Sequence, residues 1–146
     1  MRIFDISDLK KPKQVGAVQT CRGSHTHSVV SGPESDGKII VYNSGTASVR
    51  DEEELESCIG NIPGDKRTAL FRIDVIEIPI SDPSKARIVK SPAVFADEKT
   101  GALGGLWEGG DHGDNTQQPS RTDQCHDIPV FPTRQIAAGA CSGNGI

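Results

Sequence analysis

Arg2-Ile3-Phe4-Asp5-Ile6-Ser7-Asp8 reads as a strand that runs into a turn, and Val75-Ile76-Glu77-Ile78-Pro79-Ile80-Ser81-Asp82 repeats its ending. Ile6-Ser7-Asp8 falls on Ile80-Ser81-Asp82, 74 positions later (6 to 80). A second piece also returns: His27-Ser28-Val29 and His126-Asp127-Ile128 lie 99 positions apart (27 to 126). The order is piece one, piece two, piece one, piece two. Self-similarity of this kind marks an architecture of stacked units that cannot bury their faces alone. With so few units, the chain is expected to be a segment of something larger.

Outward from those pieces, the chain reads as short strands and turns. Residues 2–7 alternate around Ile3, Phe4 and Ile6. A polar turn, 8–13, leads to a second strand over 15–19. Residues 27–31 form a third strand, and Gly32-Pro33-Glu34-Ser35-Asp36-Gly37 is a strong turn signal. Lys38 to Asn43 is the clearest strand, rich in β-branched residues. A long connection, 44–67, follows; its acidic run 51–56 has the composition of a short helix start. Residues 68–80 predict a long strand whose Pro79 end is not paired as an interior strand. Another strand is expected over 87–95, then a Gly-rich excursion, 96–123, then a closing hairpin of 125–131 and 135–141.

Lettered as the four strands of one unit, the order is C, D, then A, B, C, D, then A, B. Four antiparallel strands per unit is the pattern of a β-propeller blade. The two offsets differ by the excess length of the second D-to-A connection, and stripping the insertions leaves a unit of roughly 45 residues, within the range of propeller repeats. The expected fold is therefore all-β: a partial β-propeller with one complete blade flanked by two half blades and two long loop insertions on one face. Residues 1–20 supply the second half of a blade. Residues 21–95 form the complete blade, with its B–C insertion at 44–67. Residues 96–123 are the Gly-rich insertion, and 124–146 the first half of the next blade.

Phe4-Asp5-Ile6-Ser7-Asp8-Leu9-Lys10-Lys11-Pro12, Val15-Gly16-Ala17-Val18 and His126-Asp127-Ile128 resemble the LVIVD-repeat propellers. The resemblance covers about two thirds of the chain and leaves both long insertions outside it. It implies an exported or surface-associated protein whose ring would need about 300 residues at this repeat length. The rest of that ring is then the expected partner. The second unit departs from the pattern: Ile78-Pro79-Ile80 replaces the usual Asp-bearing strand end, and Ser28 rather than Asp follows His27.

The totals agree with many short strands. In 146 residues there are 16 glycines and 9 prolines, against one Trp, one Tyr and four Phe. A net charge of −4 argues against nucleic acid, because neutralising phosphates needs clustered Lys and Arg. The nearest basic cluster, Lys10-Lys11-Pro12-Lys13, sits in a turn. No run of about 18 apolar residues is present, so no transmembrane helix is expected. No basic-then-apolar leader follows Met1, so any signal peptide is expected to lie outside this chain.

In an antiparallel blade the D-to-A and B-to-C connections emerge on one face. That face gathers both insertions, all four cysteines, and His25, His27 and His126, and loops on a rigid scaffold are where function concentrates. On one reading His27 and His126 occupy equivalent positions in neighbouring units and bind a divalent metal with help from His25, Asp111, His112, Asp114 or Asp127. On the other, each is a structural histidine bonded to a nearby Asp or Ser. His126 shares strand parity with Ile128 and Val130, which points it toward the packed face. Gly109-Gly110-Asp111-His112-Gly113-Asp114-Asn115 offers oxygen ligands for calcium through Asp111, Asp114 and Asn115, or is a plain surface loop.

A hairpin turning at 132–134 sets Phe131 opposite Gln135 and Cys125 opposite Cys141, where a cross-strand disulfide is expected. Cys21 and Cys58 pair by default; buried thiols or a Cys/His metal site are the alternatives. Persisting disulfides imply an oxidising compartment. No Gly-x-Ser-x-Gly elbow and no catalytic triad is present. Lone Trp107 reads as an anchor of its insertion or a contact residue. The leading functional expectation is a non-catalytic scaffold or interaction module of an exported or cell-surface protein. The alternative is a metal-dependent enzyme resembling selenium-binding-protein-type propellers, with histidine ligands from successive blades.

Overall fold

The computed structural model describes residues 1–34, 36–60, 62, 64–106, 114 and 122–141. Among them eight strands form: β1 (Arg2–Asp5), β2 (Lys13–Ala17), β3 (Thr26–Ser31), β4 (Lys38–Ser44), β5 (Ile73–Pro79), β6 (Arg87–Lys90), β7 (Val130–Phe131) and β8 (Ile136–Ala137). Single 3-10 turns at Pro83–Lys85 and Pro132–Arg134 complete the regular structure, with no α-helix among the described residues. The described strands all pair antiparallel with sequence neighbours: a two-stranded sheet β1-β2, a four-stranded sheet β3-β4-β5-β6, and a two-stranded sheet β7-β8. The fold is all-β, with one four-stranded sheet between two hairpins.

The alternation of β4 and β5 decides what each face of the central sheet covers. Val41 lies opposite Ile76, Ile39 opposite Ile78 and Asn43 opposite Asp74, so these side chains share one face. There Val41, Ile76 and Ile78 pack with Val18, Met1 and Ile3 from the β1-β2 end. A Cβ on Gly16 would come within 2.3 Å of the Pro83 carbonyl oxygen, so glycine is what lets β2 lie against the 83–85 turn. The opposite face presents Tyr42 and Ile73, which pack with Phe71, Cys125 and Ile128 beside the β7-β8 hairpin. The central sheet is thus covered on both faces by different hairpins.

Neither cover is complete. On the first face β1-β2 sits over the β4-β5-β6 side, where Ile88 faces Ile76. Val29 of β3 faces Val41 on that same side, yet it is 58% exposed. On the second face the hairpin sits over the β3-β4 side, where Val30 and Tyr42 line a cleft with Val130 and Ile136. On β6 the second face carries Arg87 and Lys90, opposite Glu77 and Val75, and both are exposed. One hairpin covers the β4-β5-β6 side and leaves β3 bare; the other covers the β3-β4 side and leaves β6 bare.

Several local details differ from the sequence reading, each for a physical reason. β5 begins at Ile73 instead of residue 68 because Phe71 adopts a left-handed backbone, φ 49°, which ends an extended run. Residues 51–56 make a turn, with the Glu54 and Leu55 amides both donating to the Asp51 carbonyl, and go no further toward a helix. Gln135 takes up φ 54°, so the closing turn holds four residues and Phe131 faces Ile136 instead of Gln135. Pro79 pairs with Lys38 on the β4 side, while pairing with β6 covers only Val75–Glu77. Its missing N–H therefore costs no ladder bond on the β6 side. Trp107 lies outside the described residues.

Two disulfides, Cys21–Cys58 and Cys125–Cys141, tie the loops that meet at one end of the sheets. The first joins the β2–β3 connector to the 44–67 connection and packs with Ala69, Val49 and Leu55. It closes the longer loop, with a separation of 37 residues. Removing it as Cys21→Ser with Cys58→Ser is expected to lower stability by about 2–4 kcal/mol, mostly through a less constrained unfolded chain. Urea unfolding of the double variant beside the parent measures this; an unchanged midpoint would contradict it.

Candidate functional site

The residues with the richest coordination chemistry meet where the connector before β3 touches the connector before β7. Thr26 opens β3 opposite Ser44, and the Ser44 hydroxyl donates to the His126 carbonyl at 3.3 Å. That contact, together with the Cys125–Cys141 bond next door, fixes the backbone of 125–127 against the central sheet. The His126 amide donates to the Ala140 carbonyl, and the Ala140 amide donates to the Asp127 carbonyl. Two residues therefore oppose one, which is a β-bulge.

The bulge explains where the His126 side chain goes. Strand parity with buried Ile128 would turn it inward, but the side chain is 51% exposed. An extra residue in one strand resets parity and re-aims side chains. His126 and Asp127 end up side by side, with Nδ1 of His126 3.1 Å from the Asp127 carboxylate. His25 closes the cluster from the other segment; its ring centroid is 4.1 Å from that of His126, the planes tilted by 54°. The ligand-capable atoms of His25, His126 and Asp127 all lie within 4.8 Å of one another.

Thr26 is the link that sequence reasoning missed. Its hydroxyl donates to the other Asp127 oxygen at 3.1 Å and lies 3.1 Å from His25 Nδ1. Nothing local in the sequence marks it, since its partner is 101 residues away. The His126 hydrogen bond, then the Thr26 hydrogen bond, then the nearby imidazoles hold the Asp127 carboxyl below its ordinary value. A depressed carboxyl stabilises the folded state above its unfolded value of about 4, and that stability is lost as pH falls through the lower folded value. Thr26→Val is expected to move the Asp127 titration back up toward the ordinary value, as followed by carboxyl NMR shifts. No movement would mean that the Thr26 contact does not form in solution.

The other candidates fall elsewhere. His27 pairs with Asn43, on the face that carries Val29 and Val41, and so points away from the hairpin that holds His126. The alternation of β3 separates the two histidines that the repeat had aligned, and brings His25 to His126 instead. Asp111, His112 and Asn115 lie outside the described residues. Asp114 is exposed in a turn. The four cysteines are all in disulfides.

A buried ion pair joins the same two connectors. Arg22 donates to the Ala47 carbonyl through Nε at 2.7 Å, and to the Asp123 carbonyl and carboxylate at 2.6 and 2.9 Å. Its guanidinium thereby ties the connector before β3 to the 44–67 connection and to the start of the last hairpin. Comparison with protein-family profiles, with curated proteins and with solved structures gave no match.

Proposed function

We propose that this chain is a segment of an LVIVD-like β-propeller: the outer strands of one blade, a whole second blade, and the inner strands of a third. The observation that carries this reading is the pair of incomplete covers on the central sheet. In a ring, each four-stranded blade lies face to face with the next. A preceding blade represented only by its outer strands leaves the inner strand of the central sheet bare on that side, at Val29. A following blade represented only by its inner strands leaves the outermost strand bare on the other side, at Arg87 and Lys90. Phe4, Ile6, Leu9, Phe131 and Ile136, all on or beside the flanking hairpins, are likewise exposed, as half-units without neighbours would be.

The function this supports is a non-catalytic scaffold or interaction module of an exported or cell-surface protein. Both disulfides and the described parts of the 44–67 connection they tie gather at one end of the sheets, which makes that end a cross-linked set of loops. Two disulfides suit an oxidising compartment. No helix among the described residues is long and apolar enough to cross a membrane. The native particle, sized by mass spectrometry under gentle conditions with thiols alkylated at lysis, tests both parts. Enough blades to close a ring are expected, roughly 4–8 units of about 45 residues, with no alkylated cysteine. A lone 146-residue particle or alkylated thiols would defeat the reading.

A further inference from the structure

We propose that His25, His126 and Asp127 form a binding site for a divalent transition-metal ion, with two imidazole nitrogens and one carboxylate oxygen as ligands and the remaining positions open to water or an added ligand. The inference stands on geometry and donor chemistry and does not depend on the propeller reading. Metal–nitrogen and metal–oxygen bonds of about 2.0–2.2 Å place the ligand atoms of one ion roughly 3–4 Å apart. The three donors here lie within 4.8 Å of one another, so small side-chain rotations close the set. All three side chains are exposed, which leaves those rotations free of packing obstacles.

The backbone on both sides is already fixed. His126 sits beside a disulfide and receives the Ser44 hydroxyl on its carbonyl, while the bulge at 126–127 sets its side chain beside that of Asp127. The His25 amide donates to the Ser44 carbonyl, so the same residue of β4 holds both histidine-bearing segments. Thr26 donates to one oxygen of Asp127, the second-layer contact that orients a ligating carboxylate, while the other oxygen faces His126 Nδ1, so an ion bound between them would replace that hydrogen bond. Two imidazoles with one carboxylate select zinc, nickel, copper or iron over calcium and magnesium, which prefer all-oxygen cages. The ion would join the start of β3 to the last hairpin, adding a third cross-link to an end of the molecule that already has two.

The test is calorimetric titration of ZnCl2 and NiCl2 into the full, untagged chain with both disulfides formed. One ion per chain is expected, with a dissociation constant in the micromolar range or below. His25→Ala and His126→Ala are each expected to weaken binding by tenfold or more, Asp127→Asn to weaken it, and Thr26→Val to weaken it less. His27→Ala, on the opposite face, is expected to leave it unchanged. Circular dichroism of each variant checks that it is folded, which these exposed positions allow. No saturable binding of either ion at about 100 μM, or binding unchanged in the folded His25→Ala/His126→Ala double variant, would overturn the proposal. A loss on His27→Ala equal to that on His126→Ala would overturn it too, since the site would then lie elsewhere.

Discussion

Phe71→Ala is expected to lower stability by about 3–5 kcal/mol, the range for emptying a large aromatic site in a packed core. Phe71 has no exposed surface, and it contacts Cys125 and Ile128 in the cluster that joins the last hairpin to the central sheet. Its ring meets Phe95 edge-on with centroids 4.9 Å apart. Its backbone is engaged as well: the amide donates to the Asp123 carbonyl, and its carbonyl accepts from Val94. The one counterweight is conformational, because a left-handed backbone at φ 49° disfavours any residue with a Cβ. Phe71→Gly is therefore expected to be no worse than Phe71→Ala, by virtue of about 1 kcal/mol of relieved strain. Urea unfolding of both variants measures the difference. A loss under about 1 kcal/mol for Phe71→Ala would mean that the hairpin is not held through this side chain.

Arg22→Ala should cost a similar amount, about 3–5 kcal/mol, because removing one partner of a buried ion pair leaves the other charge in a poor solvent. The side chains of Arg22 and Asp123 are only 9% and 7% exposed, and their N–O distance is 2.9 Å. The guanidinium also serves the Ala47 carbonyl, so its loss strips an acceptor in a second loop. A double-mutant cycle with Asp123→Asn separates the pair from the rest of the network. Strong coupling is expected between the two changes. Additive losses would mean that Arg22 acts through the carbonyls alone.

The strands were legible in the sequence wherever alternation and β-branched residues coincided. Lys38–Ser44 and the Ile73–Pro79 core of β5 follow from period-two patterning, and the Gly-Pro turn before β4 from turn chemistry. The Cys125–Cys141 pairing was legible as well, although the ladder around it was not. Gln135 at φ 54° lengthens the turn by one residue, and the bulge at His126–Asp127 takes that residue back before Cys125 is reached. Two offsetting irregularities left the disulfide where a regular hairpin would put it.

The same bulge is why the candidate site was only half legible. Strand parity sends His126 inward and the repeat aligns it with His27; the bulge turns it outward to His25. Bulges, left-handed residues and long-range ion pairs carry no periodic signature, since each is set by tertiary contacts. Arg22 and Asp123, separated by 101 positions, are the plainest case.

An experimental structure of the native particle tests the propeller account most directly. The account predicts four-stranded sheets arranged face to face around a common axis, with β3 innermost, Val29 covered by the inner strands of the preceding blade and the second face of β6, at Arg87 and Lys90, by the outer strands of the following one. A particle in which Val29 and that face of β6 remain open to solvent, or are covered by anything other than a neighbouring four-stranded sheet, would contradict it.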